Sequence, residues 1–197
     1  MNKGVQIQVS QPVNAMKTTI IALSAVLLGY VAQAEDTKVA VGQPAPAFSI
    51  KDSTGKIIDL KTLTDKGPVL VRLTCGCLGC DKELPYFQEV HAAYKAKGLI
   101  SLAIFKEPDT KVESYAKEKK INMLYAVDTK GDSWKVFQTK TMPSNFLIEK
   151  GGRISAISAG CDTSGLLARG LGDKAAKLVG TEKVDIKTVV DQKAKTK

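Results

Sequence analysis

The chain has 197 residues, of which 29 are Lys or Arg and 20 are Asp or Glu, so its formal charge is +9. Its hydrophobic fraction of 44% is sufficient for one globular domain with a real core. The basic residues are spread along predicted helices and the C-terminal tail with few aromatic residues between them, which favours a solvated surface over a nucleic-acid site. We therefore expect no nucleic-acid partner.

Residues 1–34 have the pattern of a secretory signal peptide. Lys3 and Lys17 are their only charged residues before an apolar run at 20–31, and Ala32-Gln33-Ala34 has the small-x-small form of a cleavage site. The run is shorter than the roughly 20 residues of a membrane span. We expect cleavage near Ala34 and a periplasmic or otherwise exported protein, with a retained N-terminal anchor as the alternative. In an oxidising compartment, the four cysteines are expected to be disulfide-bonded, redox-active or metal-bound.

Hydrophobic periodicity predicts an α/β domain at residues 35–180, in which a mixed central β-sheet is flanked by helices. A lysine-rich tail at 181–197 is expected to be a frayed helix. The first predicted elements are an N-terminal β-hairpin extension around 53–56, a buried strand at 69–73 and a helix with Leu84, Phe87, Val90 and Tyr94 on one face. A buried strand at 99–105, a helix at 110–120, a strand at 123–127 and a helix at 133–138 follow. The domain ends with a hairpin of 145–148 and 154–158 and a last helix.

Three of the cysteines lie between the first buried strand and the helix that follows it. The sequence there is Thr74-Cys75-Gly76-Cys77-Leu78-Gly79-Cys80, which we call the cysteine turn. The positive end of a helix dipole favours a thiolate, the form of cysteine that attacks disulfides. We therefore predict that Cys77 is the outward-facing nucleophile and Cys80 is the resolving thiol in the first turn of the helix.

Four segments, in order, carry a resemblance to a known family. They are Gly42-x-x-Ala45-Pro46-x-Phe48, Cys77-x-x-Cys80 followed by Lys82-Glu83-Leu84-Pro85, Met142-Pro143-Ser144-Asn145-Phe146-Leu147-Ile148, and Gly151-Gly152-Arg153-Ile154. With these motifs the chain from about Val41 to Val179 resembles the thioredoxin-like superfamily, in particular the exported thiol–disulfide oxidoreductases of the TlpA and ResA type within the AhpC/TSA–redoxin superfamily.

The resemblance implies a thioredoxin-like fold and exchange of disulfides with proteins. It also implies that Pro143 is cis and faces the dithiol, with the backbone of Met142 available to pair with an extended substrate segment. The partners would be protein disulfide or dithiol substrates and a membrane or soluble redox partner. No cofactor or metal is expected in this interpretation.

The chain departs from the family around the dithiol. Gly76 stands where the family usually has Trp, and Leu78-Gly79 differs from the familiar dipeptides that tune the reactivity of the thiols. Cys75 and Cys161 are additional thiols, and in thioredoxin-like folds the strand end that carries Cys161 lies on the dithiol face. Cys161 could be a free modulating thiol, the partner of Cys75 in a second disulfide, or a metal ligand.

Two alternative functions remain open. A peroxiredoxin-like thiol peroxidase would use Cys77 as the peroxidatic cysteine, since Thr74-x-x-Cys77 matches part of that motif, although Leu70 stands where the motif has proline. A Cu(I)-binding protein would use the soft ligands Cys75, Cys77 and Cys80. Copper chaperones of this fold add a distant His, and His91 in the helix is the only one here.

Three acidic residues lie near the cysteine turn in the sequence or in the predicted fold. Glu83 is predicted to point away from the site as a solvated helix charge. Glu107 and Asp109 follow the second buried strand, and either could relay a proton to the resolving thiol. A surface charge is the favoured interpretation of both.

Overall fold

The computed structural model describes residues 38–196 and confirms the predicted alternation of strands and helices. The predicted signal peptide lies outside these residues. The strands are β1 (Ser49–Lys51), β2 (Ile57–Asp59), β3 (Val69–Thr74), β4 (Ile100–Phe105), β5 (Leu124–Val127), β6 (Ser144–Ile148) and β7 (Ile154–Ala159). The helices are α1 (Leu60–Lys66), α2 (Leu78–Tyr94), α3 (Asp109–Glu118), α4 (Asp132–Val136), α5 (Leu166–Leu178) and α6 (Ile186–Lys195).

The central sheet has five strands in the order β5-β4-β3-β6-β7. The middle strand, β3, is parallel to β4 and antiparallel to β6, which gives the predicted mixed sheet. All of β3 is buried, as expected for an apolar, β-branched strand that is covered on both faces. β1 and β2 form a separate antiparallel pair, the predicted N-terminal hairpin.

The sheet separates two apolar clusters. Successive side chains of a strand point to opposite faces, so Leu70 packs with Phe87 of α2 while Val71 packs with Trp134 of α4. Arg72 has the same parity as Leu70 and therefore lies on the α2 side of the sheet. A cation is thus placed inside a core layer, where it needs a partner.

Helix α2 buries one face because its apolar residues recur at helical spacing. Leu84, Phe87, Val90 and Tyr94 are all buried. The helix is followed by a short 3-10 turn that ends at Gly98, which has a φ of 104°. Gly98 supplies the left-handed conformation that ends this 3-10 turn.

The C-terminal segment is docked, which differs from the expected frayed helix. Ile186 of α6 is fully buried, and the backbone N–H of Val184 donates to the hydroxyl of Tyr94 at 2.9 Å. Burial of one such side chain contributes about 1.5–3 kcal/mol to the docking of this helix. Within residues 38–196, none of the helices has the length and apolar character that a membrane crossing requires.

Candidate active site

The cysteine turn joins the end of β3 to the start of α2. Cys77 is the N-cap residue of α2, with φ −76° and ψ 159°, and its carbonyl accepts the N–H of Asp81 at 2.9 Å. Cys77 is exposed, Cys75 is half-buried and Cys80 is buried. The predicted nucleophile is therefore accessible at the positive end of the helix, and the predicted resolving thiol is sheltered one turn later.

Three sulfurs form one cluster. The Sγ atoms of Cys75, Cys77 and Cys80 all lie within 4.8 Å of one another. The sulfurs of Cys75 and Cys77, rather than those of the predicted Cys77–Cys80 pair, lie near the disulfide distance, and the Cys80 Sγ lies 3.4 Å from that of Cys75. Cys80 and Cys161 are free thiols, so the alternative Cys75–Cys161 disulfide is not formed.

The fourth thiol lies next to this cluster. A Cβ atom added to Gly79 would come within 3.0 Å of the Cys161 Sγ. Although Cys161 is exposed as a residue, its sulfur is packed against α2, and desolvation together with the negative charge of Glu83 raises the pKa of its thiol. Cys161 therefore holds its proton more tightly than an ordinary cysteine.

Met142 and Pro143 precede β6 and are joined by a cis peptide bond, as the resemblance implied. Ser144, the next residue, pairs with Leu73 near the end of β3 and with Ala159 of β7. The carbonyl of Pro143 accepts the N–H of Gly160 at 2.9 Å, which ties this loop to the segment that carries Cys161. The start of β6 and the end of β3 therefore lie side by side, which brings the cis-proline loop next to the cysteine turn at the same end of the sheet.

Glu83 is not a solvated helix charge, and that prediction is wrong. Its Oε2 lies 2.8 Å from the Arg72 Nη2, with the two side chains only 1% and 3% exposed. The Arg72 Nη1 also donates to the Asn145 Oδ1 at 2.9 Å, while the Glu83 Oε1 accepts the N–H of Asp162 at 2.7 Å. A buried acceptor for Arg72 could have been predicted from the sequence, because an Arg inside an apolar strand requires one.

Glu107 is also part of the site, contrary to its favoured interpretation as a surface charge. Its side chain is 13% exposed, and its Oε1 accepts the N–H of Gly76 at 2.6 Å. Within the described residues, its buried Oε2 has no hydrogen-bond partner. Asp109 is exposed at the start of α3. Glu107 therefore fixes the backbone between Cys75 and Cys77.

Tyr115 is a neighbour that the sequence interpretation did not connect with the site. Its hydroxyl donates to the Asp81 Oδ1 at 3.0 Å, and the Lys119 Nζ lies 3.1 Å from the same oxygen. Burial and the bond to Asp81 raise the pKa of Tyr115 well above its usual range. These contacts attach the first turn of α2 to α3.

Comparison with known proteins identifies relatives over more than half of the chain. The AhpC/TSA family model matches residues 41–157, more than half of the chain. Over 153 residues the sequence is 31% identical to thiol-disulfide oxidoreductase ResA of Geobacillus thermodenitrificans, covering 75% of this chain and 88% of that protein. Over 121 residues it is 34% identical to thiol-disulfide oxidoreductase ResA of Bacillus thuringiensis subsp. konkukian, covering 61% of this chain and 70% of that protein.

A solved structure confirms the fold. The thioredoxin domain of a thiol-disulfide oxidoreductase from Bacteroides vulgatus superposes with a TM-score of 0.60 at 24% identity, covering 71% of this chain and 98% of that chain. At that identity the likeness shows the fold alone. The predicted thioredoxin-like architecture, a mixed sheet flanked by helices, is confirmed.

Proposed function

Since this chain belongs to the AhpC/TSA family, and much of it is similar to ResA proteins, we propose that it is a thiol–disulfide oxidoreductase that exchanges disulfides with protein substrates. The observation that carries this proposal is the placement of Cys77 and Cys80. One thiol is exposed at the N-terminus of a long helix, and the other is buried one turn later. A dithiol in that position suits attack followed by internal resolution.

In the proposed reaction the Cys77 thiolate attacks one sulfur of a substrate disulfide. The other substrate sulfur leaves as a thiolate, and a mixed disulfide remains on Cys77. The Cys80 thiolate then attacks the Cys77 Sγ and releases the second substrate sulfur. The substrate gains two electrons, and the protein is left with a Cys77–Cys80 disulfide that a dithiol partner must reduce.

Cys75 modulates this chemistry in our proposal. While Cys75 and Cys77 are bonded, the nucleophile is blocked, and a dithiol must first reduce that bond. Cys75 therefore competes with Cys80 for Cys77, and its loss should shift the redox potential of the site. Cys161, with its raised thiol pKa, is proposed to stay protonated during exchange.

Substrate binding is assigned to Met142 and Pro143. Support comes from the register of β6, in which Ser144 pairs with Leu73 near the end of β3, so that this loop lies beside the start of the cysteine turn. An extended substrate segment would pair with the backbone of Met142 next to Cys77.

We also propose that the protein acts after export, on the basis of the leader pattern in residues 1–34. Its partners would be exported proteins with disulfides and a membrane or soluble dithiol that reduces the site again. Sequencing the N-terminus of the protein recovered from the exporting cell should show Glu35 first. A chain that keeps its leader would contradict cleavage at Ala34.

The test of the enzymatic proposal compares single cysteine variants on a model disulfide. Cys77→Ser should abolish exchange, and Cys80→Ser should stall as a mixed disulfide. Cys161→Ser is the matched control and should retain exchange, while Cys75→Ser should retain it with a shifted potential. In the reduced wild-type protein, an alkylating probe at mildly acidic pH should label Cys77 before Cys80.

Two results would overturn this assignment. One is a potential for the Cys77–Cys80 couple far below about −300 mV, which is typical of structural disulfides. The other is rapid peroxide consumption by Cys80→Ser, because a peroxidase passes through a sulfenic acid on Cys77 and needs no resolving Cys80.

A further inference from the structure

We propose that the reduced cysteine turn binds one Cu(I) ion through the thiolates of Cys75, Cys77 and Cys80. The three Sγ atoms already lie within 4.8 Å of one another, in a segment of six residues that is anchored at both ends by secondary structure. This function goes beyond disulfide exchange: it shares Cys77 and Cys80 with that activity and adds Cys75 as a third ligand.

The spacing of the sulfurs fits a small ion between them. A thiolate sulfur lies about 2.3 Å from a bound closed-shell metal such as zinc, so three thiolates at the corners of a triangle around such an ion are about 4 Å apart. The Cys80 sulfur lies 3.4 Å from that of Cys75, and all three sulfurs fall within 4.8 Å of one another. The sulfurs of Cys75 and Cys77, which are at near-disulfide distance, must move apart after reduction to reach that spacing.

The ligands select a soft ion. Thiolates favour Cu(I), whereas carboxylates and carbonyls favour magnesium or calcium. Within residues 38–196, the cluster consists of sulfur alone. Of the nearby carboxylates, Glu83 pairs with Arg72, and the Glu107 Oε1 accepts the N–H of Gly76; neither belongs to the group of three sulfurs. Three sulfurs without an oxygen or nitrogen ligand suit a three-coordinate Cu(I) ion.

The surroundings also favour the thiolate form and allow an ion to enter. Cys77 is the N-cap of a helix of 17 residues, whose dipole stabilises negative charge on the turn. Cys77 is exposed and Cys75 is half-buried, so an ion can arrive from the surface, while the buried Cys80 closes the inner side. Cys161 lies against Gly79 and outside the group of three, so the site does not use it.

Binding is coupled to the redox state of the turn. The Cys75–Cys77 disulfide removes two of the three ligands. A dithiol that reduces this bond supplies two electrons and two protons and becomes a disulfide itself. Cu(I) then displaces the protons of the three thiols. The same sulfurs cannot serve exchange and copper at one time, so bound Cu(I) should inhibit disulfide exchange.

The test is an anaerobic titration of the reduced protein with Cu(I) against a coloured Cu(I) chelator. The wild-type protein should retain one Cu(I) per chain, and X-ray absorption should show three sulfur neighbours. Cys75→Ser should bind about tenfold more weakly or worse, with two sulfur neighbours, because one of three soft ligands is lost. Cys161→Ser is the matched control and should bind as the wild type does.

The outcomes separate this site from the proposed enzymatic function. Thermal unfolding of Cys75→Ser shows whether the variant is folded, and Cys77→Ser provides a second variant that should lose the ion. Copper bound equally well by Cys75→Ser, or no copper retained by the wild type, would overturn the site even if exchange is normal. Tight zinc binding that is lost in Cys161→Ser would also overturn it, since that result requires four sulfurs. Copper binding without disulfide exchange would instead contradict only the enzymatic proposal.

Discussion

Arg72 and Glu83 form an ion pair between the central strand and the cysteine-bearing helix, with 2.8 Å between Nη2 and Oε2. The guanidinium also lies 4.0 Å from the centre of the Phe87 ring. Because the second oxygen of Glu83 accepts the N–H of Asp162, one carboxylate connects the central strand, the helix and the segment that carries Cys161. The pair holds together the elements that surround the sulfurs.

Replacing one member of this pair should strongly destabilise the protein. Arg72→Leu leaves the buried Glu83 carboxylate without its cation, and removing one partner of a buried pair typically costs about 3–5 kcal/mol. The free energy of unfolding, measured by urea denaturation, should fall by about that amount.

The double variant Arg72→Leu/Glu83→Leu is the control for this effect. It removes both charges, so it should be more stable than either single variant. If the losses in the free energy of unfolding of the two single variants add up to the loss in the double variant, the two residues are not coupled.

Glu107 should matter as a hydrogen-bond acceptor of the cysteine turn. Glu107→Ala removes the acceptor from the Gly76 N–H and should lower the free energy of unfolding by about 1.5–3 kcal/mol, the usual contribution of a hydrogen bond to a charged group. Glu107→Gln keeps an oxygen acceptor and should lose less. Urea denaturation of the three proteins measures the difference, and equal losses in the two variants would assign the effect to the charge.

Gly79 tests the contact between α2 and Cys161. Gly→Ala inside a helix normally stabilises by up to about 1 kcal/mol. At Gly79 the added Cβ would come within 3.0 Å of the Cys161 Sγ, so the gain should be reduced or reversed. Gly170→Ala in α5, which has open space around the new atom, is the matched control and should show the normal gain.

In a Cys161→Ala background the Gly79→Ala change should recover that gain, because the opposing sulfur is absent. Thermal or urea unfolding of the four combinations gives the coupling between the two positions. Additive effects would place the Cys161 sulfur away from Gly79 in solution.

Cys161 should react with iodoacetamide only at raised pH. Desolvation and the Glu83 carboxylate raise the pKa of this thiol, so its thiolate forms at higher pH in the folded protein than in the unfolded chain, where the value is about 8.5. Mass spectrometry of the Cys161 peptide over a pH series, with and without urea, should show a higher midpoint in the folded protein. An equal or lower folded midpoint would contradict this prediction.

The sequence by itself determined the order of elements and the position of the cysteine turn. These features depend on local properties: the continuous apolar run of β3, the helical spacing of Leu84, Phe87 and Val90, and the Cys77-x-x-Cys80 spacing at the start of a helix. Each can be recognised within one or two turns of chain, which is why the strands and helices lie close to their predicted bounds.

Only the tertiary structure decided which side chains meet at the site. Glu107 reaches Gly76 across 31 positions, and Glu83 reaches Asp162 across 79. The position of α2 over β3 likewise turns Glu83 from a surface charge into the partner of Arg72. Such contacts depend on how α2, α3 and the end of β7 pack around the end of β3. The periodicity of a single segment contains no information about that packing.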